Sequence, residues 1–214
     1  MKKLYTLLAL TISFSMNAQM DDNSANNNSA GFNAVAMGES TTASGYNSTA
    51  MGRSTTASGD YSAAMGYQTT ASARSSTAMG ESTTASGSYS TAMGRYTTAS
   101  AQSSTAMGRS TTASGIYSTA MGYGTTASGD YATAMGYITI ASDFGSLVIG
   151  QFNSSGSSAT SASSFSTSAP AFVIGNGTSG SLSDAFKVMF NGDATVSNDL
   201  TVSGDVVISS DARL

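Results

Sequence analysis

The sequence predicts an all-β fold, a parallel solenoid of short coils, on three observations. First, Ala-Met-Gly recurs every 14 residues: Met37, Met51, Met65, Met79, Met93, Met107, Met121 and Met135 are each followed by glycine, and Ile149-Gly150 holds the ninth place. Second, Thr-Thr-Ala-Ser keeps the same beat from Thr41 through Thr125, with a worn copy at 139–142, and no unit gains or loses a residue. Stacked identical units penalise single insertions this uniformly. Third, the glycines exclude the helical alternative that a double heptad would otherwise allow. Gly38, Gly45, Gly52 and Gly59 fall at a regular half-period, each costing about 0.8 to 1 kcal/mol against alanine in a helix, and the residues between are mostly Thr and Ser, also weak helix formers. Collagen fails too, because glycine is not every third residue and proline occurs once.

The elements run in chain order. Lys2 and Lys3, the apolar run 4–14 and Met16-Asn17-Ala18 read as a secretory signal peptide over 1–18. Residues 19–30, with Asp21, Asp22 and several asparagines, read as a flexible leader. The coils occupy 31–150. Each holds two strands, one around Ser-Thr-Ala-Met and one around Thr-Thr-Ala-Ser, each expected to end at a glycine with positive φ. Coils lie roughly 4.8 Å apart, the spacing of paired strands, so the array forms a rod on the order of 40 Å long.

Side chains alternate along a strand, so Thr49 and Met51 share one face and Ala50 takes the other, while Thr55 with Ala57 opposes Thr56 with Ser58. Such a coil has little interior, and its apolar content is too small to offset about 1 to 2 kcal/mol of backbone entropy per residue. A homo-oligomer is therefore expected, with the alanine ladder Ala50, Ala64, Ala78 and Ala92 facing neighbouring chains and methionine filling the coil. Residues 151–169 are Ser/Ala-rich without periodicity and read as a linker or loose edge. Residues 170–214 read as a β-rich fibre segment with strands at 171–174, 185–190, 194–196, 200–202 and 206–208 and a hairpin signal at Asn191-Gly192.

The composition favours an extended surface object over an enzyme. The chain has no histidine and no cysteine, and its carboxylates are scattered singly, so neither catalysis, nor a metal site, nor a bound cofactor has a residue set to stand on. A net charge of -4 with only 8 basic residues disfavours nucleic acid. No segment after the signal approaches the roughly 20 apolar residues that cross a bilayer, so the mature chain is expected not to insert. Gly175-Asn176-Gly177-Thr178-Ser179-Gly180 fits a dinucleotide fingerprint in letters, but the residues after Gly180 read as strand and not helix, so a glycine-rich turn is the better reading.

Three ladders run along the array, one that sets register and two that could carry recognition. The residue after each Met-Gly pair places Glu39 beside Arg53 and Glu81 beside Arg95 on adjacent coils, where cross-strand pairs favour the correct register. Tyr61, Tyr89, Tyr117 and Tyr131 follow the turn glycines, with Ser75 and Ser103 in alternating coils. They read as turn packing or as a ligand-contacting stripe. Thr42, Thr56, Thr70, Thr84, Thr98 and Thr112 form a threonine ladder, either as ordinary β residues or as an array that orders water.

The unit Ser-Thr-Ala-Met-Gly-Arg-Ser-Thr-Thr-Ala-Ser-Gly at 48–59 resembles the head repeat of trimeric autotransporter adhesins, in which Ser-x-Ala-Ile-Gly is followed by Ala-Ser-Gly, and the likeness covers residues 31–150. It implies a left-handed parallel β-roll, a homotrimer and a role in surface attachment. Methionine stands here for the usual isoleucine, and the family's stalk and membrane anchor have no counterpart in this sequence. The ending Ser209-Ser210-Asp211-Ala212 is similar to the junction at which endosialidase-type intramolecular chaperones begin, which implies a processing bond between Ser210 and Asp211 and a gene that continues past Leu214.

Function then has three readings. One is a secreted or surface-displayed trimeric fibre or adhesin head that holds a glycan, matrix or host-cell ligand by many weak equivalent contacts. The second is an ice-binding protein using the threonine ladder. The third is a purely structural shaft of the tail-fibre kind.

Overall fold

The computed structural model describes residues 27–201 and 203, with no helix among them. The expected signal peptide, most of the expected leader, the expected strand at 206–208 and the expected processing bond at Ser210–Asp211 lie outside the described residues. Leu200 and Thr201 are described and belong to no strand.

Each coil carries one five-residue strand, such as Thr49–Arg53, and one two-residue strand, such as Thr56–Ala57. The long strands run from Val35–Glu39 to Leu147–Gln151 and the short ones from Thr42–Ala43 to Ile140–Ala141. They form two separate parallel sheets, each strand pairing only with its equivalents one coil away. The register is the sequence period itself: Met51 pairs with Met37 and Met65, Gly52 with Gly38 and Gly66, and Ala57 with Ala43 and Ala71. This is the expected β-solenoid.

Burial reverses the expected faces. Ala50, Ala64, Ala78 and Ala92 are fully buried inside the single chain, as are Ala57, Ala71 and Ala85 of the short strands. The methionines point outward and are half-buried. Side chains alternate as expected, but the choice of inward parity is set by size. The interior between the two sheets is lined by Ala, Ser and Thr, and the largest enclosed aliphatic residues, Val148 and Val173, appear only where the array ends. A four-atom unbranched side chain does not fit a slot this thin.

The glycines also divide into two kinds, which corrects the expectation that both end a strand through positive φ. The Met-Gly glycines from Gly38 to Gly136 have φ between +117° and +124°, and a Cβ on any of them would collide with the carbonyl oxygen of its equivalent on the next coil. The second set, Gly45, Gly59, Gly87, Gly115 and Gly129, has ordinary φ and is small because the backbone of the coil above comes close. Their N–H groups donate to the carbonyls of Ala57, Ala71, Ala99, Ala127 and Ala141. Ala73 and Ala101 take this position in two coils and make no such bond, so alanine is tolerated there at the expense of a hydrogen bond. Left-handed turns fall instead at Ser54 and Tyr61, with φ of 54° and 58°, and at their equivalents, which are non-glycine residues except at Gly124 and Gly145. Their N–H groups donate to Glu39 and Tyr46 of the preceding coil, and this ladder of turn bonds holds the strained backbone in place.

An interior ladder of threonines runs the length of the array. Asn27 and Asn153 occupy the positions one period before Thr41 and one period after Thr139. The Asn27 side-chain oxygen accepts from the Thr41 N–H at 3.0 Å and from its hydroxyl at 2.9 Å. The Asn153 side chain accepts from the Ile140 N–H and donates to the Ile140 carbonyl, both at 2.8 Å, standing in for the backbone of a further coil. At the first end the backbone of Asn28 pairs with Thr42 beside the Asn27 side chain, and at the other the Asn153 side chain caps Ile140, so neither edge of the short-strand sheet is left open to pairing.

Between these caps the hydroxyls of Thr55, Thr69, Thr83, Thr97, Thr111, Thr125 and Thr139 are buried and make no hydrogen bond. A buried hydroxyl without a partner costs about 1 to 3 kcal/mol. The double substitution Thr83→Val and Thr97→Val is therefore expected to raise the thermal midpoint followed by circular dichroism, while Thr84→Val and Thr98→Val on the outer face leave it nearly unchanged. A lower midpoint for the interior pair would show that these hydroxyls are satisfied.

The array does not stop at Gln151. Pro170–Asn176 joins the long-strand sheet in parallel, with Val148 opposite Val173, Ile149 opposite Ile174 and Gly150 opposite Gly175. Ile149 and Ile174 are thus in register although the interval between them exceeds one period. The passage between them is tied down. Asp143 accepts backbone N–H groups of Thr160 and Ser161 at 2.5 and 2.7 Å, and Asp184 accepts those of Ser154 and Ser155 at 2.8 and 2.9 Å. The sheet then turns antiparallel through Asp184–Met189 and Ala194–Val196. The hairpin turns at Asn191-Gly192, as expected, with Gly192 at φ +94°. Gly175 to Gly180 is a strand end and turn leading into the antiparallel strand, so no helix comes after it.

Candidate functional site

Two edges of the solenoid, where the chain turns between sheets, carry nearly all the large polar and aromatic side chains. The first edge lies after the short strands. Tyr61, Tyr89, Tyr117 and Tyr131 sit here, each about half exposed and each in the left-handed turn conformation. Tyr117 and Tyr131 occupy adjacent coils and stack at 5.1 Å, and Phe144 packs against Tyr131 at 5.2 Å. Tyr61 instead meets Tyr46, which stacks on Phe32. Tyr89 is separated from the other tyrosines by coils carrying Ser75 and Ser103. Three of the four tyrosines thus fall in clusters at the two ends of one edge and Tyr89 stands between them, so they form no unbroken stripe. Asp60 and Asp130 on this edge are occupied, since each accepts a backbone N–H from the coil before, Tyr46 at 2.9 Å and Ile116 at 2.8 Å.

The second edge lies after the long strands. Glu39 and Arg53 pair at 3.3 Å and Glu81 and Arg95 at 3.1 Å, as their spacing predicts. The Glu81 carboxylate, and after it the neighbouring Tyr96, raise the Arg95 pKa above its ordinary value. Arg53 lies over the Tyr67 ring, Arg95 over Tyr96 and Arg109 over Tyr123, at 5.6, 4.8 and 5.4 Å. Tyr123 and Tyr137 stack at 5.1 Å, and Phe152 caps Tyr137 at 5.3 Å. Sequence reasoning finds the ion pairs here and misses the aromatic column, although the signal is present: the position after Met-Gly reads Glu, Arg, Tyr, Glu, Arg, Arg, Tyr, Tyr down the coils.

The faces between these edges are simpler. Thr42, Thr56, Thr70, Thr84, Thr98 and Thr112 lie in register on the outer side of the short-strand sheet, half-buried, one per coil. Two-residue strands make this face narrow. The long-strand sheet shows an outward methionine row, extended by Ile149 and Ile174. Among the described residues no three His, Cys, Asp or Glu side chains come together as metal ligands would. A shallow polar recess of about 420 Å³ beside the C-terminal hairpin is lined by Asn176, Asp184, Lys187 and Asn198, and Asp184 is already engaged in holding the loop.

The YadA head domain repeat matches this chain in overlapping windows at 29–55, 43–69, 57–83, 71–97, 85–111, 99–125, 113–137 and 127–153. The chain belongs to the YadA head-repeat family. Each window spans about two coils of the solenoid, and together they cover the array from just after the Asn27 cap to Asn153. Membership brings an adhesin-like surface function at the level of the family. No curated protein matches the chain.

Proposed function

We propose that this chain is a secreted or surface-displayed attachment module that works as a homotrimer and holds a glycan, matrix or host-cell ligand by repeated weak contacts, without catalysis and without a cofactor. The observation that carries this reading is the uniform stack of coils bearing the family's head repeat, each offering the same pair of edges to solvent. A repeated edge raises avidity without any deep pocket, because every additional contact is intramolecular after the first. The outward methionine row supports self-association. It is a contiguous apolar strip across ten paired strands, about 45 Å long at the usual strand spacing, and strips of that size on soluble chains mark interfaces. Export by the signal at 1–18 and processing between Ser210 and Asp211 belong to the same proposal.

The test uses the full chain on beads, presented to a glycan array and to host-cell matrix. Replacing Tyr61, Tyr89, Tyr117 and Tyr131 by serine is conformationally matched, since Ser75 and Ser103 already hold the same turn position at φ of 54°. Attachment is expected to fall by about tenfold or more if the tyrosine edge makes the repeated contact. Retention of wild-type attachment would remove that edge from the ligand surface.

A further inference from the structure

We propose that the second edge, around Arg95, Tyr96, Arg109, Tyr123 and Tyr137, binds an acidic polysaccharide through its carboxylate or sulfate groups. The inference rests on the attachment reading and names the chemistry of the ligand. It starts from a departure in the ladder. Down this edge glutamate precedes arginine twice, and Glu39 and Glu81 are both consumed by Arg53 and Arg95. The next coil then repeats arginine, and Arg109 pairs in register with Arg95 on one side and Tyr123 on the other. Like charges directly opposite on neighbouring strands are destabilising. Arg109 has no acidic partner among the described residues; its guanidinium rests only against the Tyr123 ring. A register that has used glutamate to neutralise this position twice leaves it uncompensated here, and an anionic group bridging both guanidinium ions would relieve the repulsion.

The aromatic neighbours point the same way. Arg109, Tyr123, Tyr137 and Phe152 form one column: Arg109 and Tyr137 pack against the Tyr123 ring, and Phe152 meets Tyr137 in a T-shaped contact. Stacked rings present their edges to solvent, and edges carry the positive part of the aromatic quadrupole along with the phenolic O–H donors. A sugar stacking its apolar face would find the Tyr123 ring already covered by Arg109 and Tyr137. A carboxylate or sulfate lying across it would meet donors and positive edges beside two cations. Tyr96 extends the patch, and its hydroxyl accepts from Arg95 at 3.4 Å. The array spaces its coils about 4.8 Å apart, so a linear polymer with regularly repeated anions suits the edge better than a single small anion. A nucleic acid would need a longer run of cations than this.

The experiment measures binding of the full chain to immobilised heparin, hyaluronan, neutral dextran and single-stranded DNA. Wild type is expected to bind heparin and hyaluronan, more weakly as salt rises, and to ignore dextran. Arg109→Gln should weaken binding, and Arg109→Glu should reduce it by about tenfold or more. Arg109→Glu should also raise the melting temperature, because a carboxylate there repeats the arrangement of Glu81 against Arg95. That gain separates loss of the site from loss of the fold. Arg74→Gln on the opposite edge should leave binding unchanged. The inference is overturned if Arg109→Glu binds heparin as wild type does, if Arg74→Gln loses as much, or if DNA is retained and neither polysaccharide is. Bead attachment measured in parallel keeps the two readings apart: cells held equally well by wild type and Arg109→Glu would sink the polysaccharide site and leave the attachment function standing.

Discussion

Gly80→Ala is expected to unfold the coil that carries it, with a loss of about 4 kcal/mol or more. Two effects act together. The backbone at Gly80 has φ +119°, which side-chain-bearing residues rarely adopt, and the added methyl would run into the backbone carbonyl of Gly94, which cannot rotate away. Because each coil templates the next, the damage spreads to both neighbours. Urea unfolding followed by circular dichroism measures this against two internal controls. Gly59→Ala should cost less, because its φ is ordinary and Ala73 and Ala101 already hold that position, although the added methyl must still displace the carbonyl of Ala73. Gly180→Ala should be neutral within about 0.5 kcal/mol, as nothing stands within contact of its Cβ. Equal effects at Gly80 and Gly180 would mean that the Met-Gly positions do not stack.

The second large effect separates the inside of the coil from its outside. Ala78→Leu with Ala92→Leu forces added side-chain carbons into fully buried positions, and overpacking at two sites is expected to cost about 3 kcal/mol or more and to abolish the folded array. Met79→Glu with Met93→Glu changes the adjoining residues, which point the other way. It should leave coils that still give a β spectrum while the assembly dissociates, because charge on an outward apolar strip repels sister copies without entering the interior. The two double variants differ by one step along the same strands, so their contrast depends on side-chain direction alone. Circular dichroism reports the coil and sedimentation velocity reports the assembly. If the methionine variant unfolded and the alanine variant folded, the faces would be assigned the wrong way round.

The period makes most of this fold readable. An unbroken interval of 14 residues dictates which residues pair, so the register, the ion pairs Glu39–Arg53 and Glu81–Arg95 and the alternation of faces all come from spacing. Parity does not, because alternation is satisfied equally by methionine inside or alanine inside. The thickness of the coil decides between them, and that is a tertiary quantity. Turn chemistry misleads for a related reason. Glycine is the usual residue for positive φ, but here Ser54 and Tyr61 take the left-handed turns, held by bonds to the coil before, while Gly59 is small to let a backbone pass. The strand at Pro170–Asn176 repeats the pattern of Leu147–Gln151 off the beat, so the longer interval hides its place in the same sheet. At the candidate site, the tyrosines after the turn glycines are visible as letters. Their grouping with Phe32, Tyr46 and Phe144, and the arginine–tyrosine column on the other edge, depend on which rings occupy adjacent coils.

On the proposed reading, coils this thin bury too little alone and complete their burial through the methionine row of sister copies. Multi-angle light scattering on the chain at micromolar concentration puts that dependence on assembly to the test. A mass of three chains is expected, persisting on dilution until the β spectrum is lost with it. A single chain that stays folded and melts cooperatively at the same concentration would contradict it.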